Sequence, residues 1–169
     1  VTDLINQDIT NDSLYLIRAK INIDRDRLKE SLKDLNQSYS LDSTNPETNF
    51  LLGEVLLDLT KKGEGDENYL IRSSKYFYKS VQYGFNLALS YKNAGEVFLL
   101  RGMTENNEEY LNTSIQLFEE SIRVDVTNPN TFILVIAKVI NTIGSFSVKV
   151  EQKKNHLIPS SLYHLLISL

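Results

Sequence analysis

The chain has no cysteine, three prolines, seven glycines and two histidines in 169 residues, and each scarcity removes a class of answer. Without cysteine there is no disulfide framework, no thiolate zinc site and no cysteine nucleophile. That absence suits the cytosol and the periplasm equally; a cytoplasmic setting is favoured and an extracytoplasmic mature form stays open. So few Gly and Pro cannot punctuate the many turns of a β-sandwich or barrel, whereas helices need such breaks only at their ends. His156 and His164 lie eight positions apart, which does not make a ligand pair on one helical turn, and no acid cluster of metal-binding spacing joins them. No run of about 18 apolar residues is present, so no segment is expected to span a bilayer, and nothing at the start resembles a secretory signal. Positive charge is also short: 18 Lys and Arg against 22 Asp and Glu leave a net charge of −4. Affinity for a phosphate backbone comes largely from Lys and Arg, so nucleic acid is not expected as the partner.

What remains is an ordinary globular composition, 41% hydrophobic and 24% charged, long enough to bury a core and expected to form one domain over residues 1–169. The chain opens on Val1, and its last segment, 162–169, is apolar almost all round with no capping Gly, Lys or Arg after it. Both ends lead us to expect a piece of a longer protein.

Four segments share a small residue, a large apolar residue four later and a second small residue three after that: Ser31-Leu35-Ser38, Ser73-Phe77-Ser80, Ser114-Phe118-Ser121 and Ser161-Leu165-Ser168. Positions i, i+4 and i+7 lie on one helix face. Each segment therefore predicts a helix that admits a neighbour at its small residues and locks it with the large one. A second set precedes these: Tyr15 with Ala19, Asn49 with Gly53, Tyr91 with Gly95, and Phe132 with Ile136 or Ala137. Ala19 to Gly53 is 34 residues, and Gly53 to Gly95 and Gly95 to Ala137 are 42 each, a solenoid-like period. Two units end on nearly the same phrase, Asp42-Ser43-Thr44-Asn45-Pro46 and Asp125-Val126-Thr127-Asn128-Pro129. Asn before Pro predicts a helix stop followed by a new helix start.

These residues resemble the tetratricopeptide repeat, a 34-residue unit of two antiparallel helices that stacks into a right-handed superhelix. Tyr15 and Ala19 fall where that family places a large and a small residue on its first helix, and Ser31, Leu35 and Ser38 where it places Ala, an aromatic and Ala on its second. Leu52-Gly53 is a frequent family pair, and 114–121 is the best match in the chain. The resemblance implies an all-α solenoid of about four helix pairs, with units near 12–45, 46–87, 88–128 and 129–169. The chain departs from the pattern in two polar inserts, 61–68 and 103–111, which predict longer helices or longer turns. The stretch 144–151 alternates apolar and polar residues, and is expected as an extended connector over the core rather than a strand.

Catalytic and ligand readings mostly fail. Gly63 and Gly65 lie beside Glu64, Asp66 and Glu67, with no Gly-Lys-Ser/Thr after them, so a solvated turn is expected rather than a phosphate loop. The same acids lack the order of a calcium hand. Formal glycosylation triplets at Asn11, Asn36 and Asn112 read as chance matches. Tyr76, Phe77 and Tyr78 beside Lys75 and Lys79 are expected to pack between helices rather than to stack on bases. No catalytic residue, cofactor or metal is expected, and the chain is not expected to be an enzyme.

In the family it resembles, a partner lies against the first helices of the pairs, on the concave side. The register places Leu16, Lys20 and Ile23 there, then Glu47, Phe50, Glu54, Leu57 and Asp58, then Leu89, Lys92, Asn93, Glu96 and Leu99, then Ile133, Ala137 and Ile140. Apolar and acidic residues dominate, which suits a protein or peptide that is apolar and carries Lys or Arg. Some of the apolar residues are equally well read as core. Many family members clamp a C-terminal carboxylate with Asn and basic residues. Asn93 matches one such Asn, but Phe50, Glu54, Asn130 and Leu134 occupy the other places, so no clamp is expected. Two rival readings stand beside the peptide scaffold: self-assembly through the uncapped C-terminal helix, and a small-molecule pocket or enzyme, for which no constellation was found.

Overall fold

The computed structural model describes residues 1–66 and 68–125. The expected fourth unit, the connector at 144–151, His156, His164, the apolar end segment and the groove positions Ile133, Ala137 and Ile140 lie outside the described residues.

Among the described residues every regular element is helical: α1 Thr2–Gln7, α2 Asp12–Asp24, α3 Leu28–Leu41, α4 Pro46–Lys61, α5 Tyr69–Gln82, α6 Leu87–Thr104 and α7 Glu108–Val124. The starts follow local chemistry. Pro46 occupies the first turn of α4, where its missing N–H loses nothing, and the Asn45 side chain accepts from the Thr48 N–H at 3.0 Å. At α7 the Asn107 side chain does the same for the Tyr110 N–H at 3.2 Å.

The ends share one device. Asp26 (φ 57°), Gly63 (φ 72°), Gly84 (φ 74°) and Asn106 (φ 50°) turn left-handed after α2, α4, α5 and α6. The N–H of the following residue then returns to a carbonyl five positions back, in Arg27 to Asn22 (2.8 Å), Glu64 to Leu59 (2.9 Å), Phe85 to Ser80 (3.0 Å) and Asn107 to Gly102 (2.9 Å). Each bond satisfies an otherwise orphaned helix-end carbonyl.

Consecutive helices pack as neighbouring pairs, α2 with α3, α4 with α5 and α6 with α7. In the last pair Gly102 lies beside Leu111, Gly95 beside Phe118, and Ser121 donates to the Ala88 carbonyl at 2.7 Å. Positions late in α6 thus meet positions early in α7, and the two run antiparallel. The polar inserts resolve differently in the two pairs. After α4 the chain takes a long connection, 62–68, whereas α6 absorbs the extra residues by running on through Thr104 and turns in 105–107 alone.

The core passes from pair to pair through α4. Leu52, Val55 and Leu59 join Leu16, Ala19, Leu28 and Leu35 in one cluster, while Phe50 and Leu57 join Phe77, Ala94 and Val97 in the next. Burying a side chain of this size stabilises by about 2 kcal/mol, and α4, clasped from both sides, contributes such residues to both clusters. Buried hydroxyls mark the joints between pairs. Ser38 meets Thr48 at 2.9 Å and Ser80 meets Ser90 at 3.0 Å, each ten residues on in sequence.

Candidate partner-binding face

Helical spacing sets Glu47, Glu54, Asp58 and Lys61 along one side of α4. The exposed stripe of α2, comprising Ser13, Ile17, Lys20 and Asp24, has the same spacing. Side chains tie these first helices to one another. Lys20 reaches Glu47 at 2.8 Å, from α2 to α4. From α4 to α6, Glu54 Oε1 accepts from Asn93 Nδ2 at 3.1 Å and Lys61 lies 2.9 Å from Glu96; within α4, Lys61 lies 3.8 Å from Asp58. Three helices from three pairs are thus joined by one row of polar and charged groups.

Within that row, partial burial raises the proton affinity of Glu54. The Asn93 hydrogen bond opposes that shift, Asp58 adds to it, and Lys92 and Lys61 work against it. Asn93 is itself buried, at 6% exposure, so its amide is fixed and the carboxylate is held at the junction of α4 and α6.

The expected groove positions separate into two sets. Lys20 and Asp58 are exposed, and Glu47, Glu54, Lys92 and Glu96 are half-buried; with buried Asn93 they form the row. Leu16, Phe50, Leu57 and Leu99 are buried, the first three within the core clusters, and Ile23 and Leu89 pack against those clusters. Phe50 meets the rings of Phe77 and Phe85 at centroid distances of 5.8 and 5.6 Å. Its ring is a core contact. Among the described residues, the face presents the apolar side chain of Ile17, 45% exposed. Hydrophobicity alone assigns such a residue to the core, so the sequence carries no sign of its exposure. Lys61, the first residue of the polar insert in the sequence, belongs to α4 as the next residue on the face.

Other sequence features are absorbed by packing. Phe77 is buried, Tyr76 stands edge-on to Tyr39 at 5.4 Å, and Lys79 donates to the Tyr39 hydroxyl at 2.6 Å, which leaves Tyr78 as the exposed ring. Ser38 and Ser114, the last residues of two glycosylation triplets, are buried. Gly63 is the left-handed end of α4. Among the described residues no group of three His, Cys, Asp or Glu could hold a metal ion, and no helix is long and apolar enough to cross a membrane. No family model matches the chain, and no curated protein matches it either.

Proposed function

We propose that the chain is a tetratricopeptide-like scaffold, its pairs stacked as a right-handed superhelix, which performs no chemistry of its own and holds a protein or peptide segment across α2, α4 and α6. The observation that carries this reading is Glu54. A carboxylate offers about four acceptor sites, and this one, partly withdrawn from water, takes a side-chain donor from Asn93 alone among the described residues. A Lys or Arg of a bound segment supplies the missing donors and the counter-charge, and Asp58 adds to the attraction for a cation. Ile17 offers an apolar anchor further along the face. Support for the repeat architecture comes from the recurrence of the same relationships. A glycine faces a phenylalanine ring in two successive pairs, and a hydroxyl pair closes two successive joints.

The test is selection of a random peptide library displayed on phage against the purified chain, followed by fluorescence anisotropy on the enriched peptides. The reading expects enrichment of Lys- or Arg-bearing sequences, with affinity falling about tenfold in Glu54→Gln and in Asp58→Asn while both variants remain folded by circular dichroism. Enriched peptides without basic residues, affinity unchanged in both variants, or no enrichment at all would overturn it.

A further inference from the structure

The second helices of the pairs carry a surface of different chemistry. α5 holds Arg72, Lys75 and Lys79 and no Asp or Glu, in a chain whose net charge is −4. Among the described residues none of these three cations enters an ion pair, whereas Lys20, Lys29, Lys61 and Lys62 all do. Ile71, Lys75 and Tyr78 are spaced by four and three positions and so share one side of the helix. All three are exposed, Ile71 by 50% and Tyr78 by 71%.

Where α5 meets α3, the cation is held in place. Lys79 Nζ lies 4.8 Å from the Tyr39 ring centroid and donates to the Tyr39 hydroxyl oxygen at 2.6 Å, and Tyr76 stands edge-on to the same ring at 5.4 Å. The ammonium keeps two further N–H donors, and the phenol keeps its own O–H. A carboxylate, with its two oxygens side by side, can take one donor from each. Holding Lys79 against the ring also removes part of the ordering cost that a free lysine incurs on binding.

We propose that α3 and α5 form a second docking surface, which takes an acidic peptide segment carrying an apolar side chain. Lys79 and Tyr39 receive one carboxylate, Lys75, one helical turn away, receives another, and Ile71 and Tyr78 cover the apolar group. Charge complementarity selects this occupant. A short segment meets only the local cations, since charges beyond a Debye length of about 8 Å are largely screened. An anionic membrane or a nucleic acid spreads its charge over a wider area and also meets the acidic remainder of the chain. The surface is separate from the row on α2, α4 and α6, and stands or falls independently of it.

A phage-displayed peptide library without Lys or Arg, selected against the whole chain, tests it, with fluorescence anisotropy on the enriched peptides. Omitting the basic residues keeps this selection apart from the unrestricted one, in which the basic peptides are read. Enriched sequences should combine Asp or Glu with Leu, Phe or Tyr. Their affinity should fall about tenfold in Lys79→Met and in Lys75→Met, and about threefold in Tyr39→Phe, which keeps the ring and loses the donor. Glu54→Gln should bind as the native chain does, and circular dichroism should show all four variants folded. No enrichment, enriched peptides without acidic residues, affinity unchanged in both lysine variants, or an equal loss in Glu54→Gln overturns the proposal. So does binding of phosphatidylserine vesicles or of polyuridylic acid that is tighter than that of the peptides and is lost in Lys79→Met, since the surface would then serve an extended polyanion.

Discussion

Gly53 lies under the ring of Phe77 so closely that a Cβ built on the glycine would stand 2.8 Å from Cε1 and 2.9 Å from Cδ1. Gly95 bears the same relation to Phe118, again at 2.8 Å. In the first pair the corresponding residues are Ala19 and Leu35, both fully buried in one cluster. Where the large residue loses its ring, the small one gains a methyl.

This complementarity makes Gly53→Ala destabilising, against the helix-propensity gain of about 1 kcal/mol that the change brings elsewhere. Phe77 is completely buried and has nowhere to retreat, and overpacking of this kind costs about 1–3 kcal/mol. We expect a net loss of about 1 kcal/mol in urea denaturation. Phe77→Leu alone leaves a cavity, but combined with Gly53→Ala it should recover part of both losses. A double mutant whose loss is merely the sum of the singles would refute the coupling.

The serines at the head of the second helices should divide in an unexpected way. Ser73 donates to the Gly53 carbonyl at 2.7 Å, whereas the buried Ser31 and Ser114 hydroxyls have no hydrogen-bond partner among the described residues. Ser73→Ala should lower stability by about 1 kcal/mol, while Ser31→Ala and Ser114→Ala should raise it by up to about 1 kcal/mol through removal of an unsatisfied polar group. Equal responses from all three, read by thermal melts, would contradict this division.

Two ion pairs of similar length should differ widely in worth. Arg18 grips Asp34 through two bonds, Nε at 2.9 Å and a terminal nitrogen at 2.6 Å, and Asn22 adds a third donor at 3.2 Å; Asp34 is 4% exposed. Arg18→Met strands a buried carboxylate and should cost about 2–3 kcal/mol, somewhat less than a fully buried pair because Arg18 reaches solvent. Lys20 and Glu47 are much more exposed, and Lys20→Met should cost less than about 1 kcal/mol. Denaturation of the two variants side by side, in low and high salt, checks the ranking, since salt should erase the second effect and leave most of the first.

The sequence was most readable where a residue's role depends on its immediate neighbours. Ser73, Phe77 and Ser80 share a buried face because a helix puts i, i+4 and i+7 together whatever packs on them, and Asn45-Pro46 starts α4 by local hydrogen bonding alone. Periodicity does not say what covers a face, and there the reading fell short. Phe50 and Leu57 suited a groove by register, yet α4 is clasped on two sides and both became core. Arg18 and Asp34 are 16 positions apart, and no local pattern joins them. Asp26 and Asn106 adopt the left-handed turn without the glycine that would have announced it.

The left-handed helix ends carry a consequence for how the chain reaches its native state. A bond that returns five residues sets a helix boundary before any distant segment has arrived. The described helices meet mainly their sequential neighbours, with longer reaches from α2 to α4 and from α4 to α6. Short loops are quick to close, and topologies dominated by them fold in microseconds to milliseconds. Each described pair can therefore begin to order from its own short-range contacts, without waiting for the others.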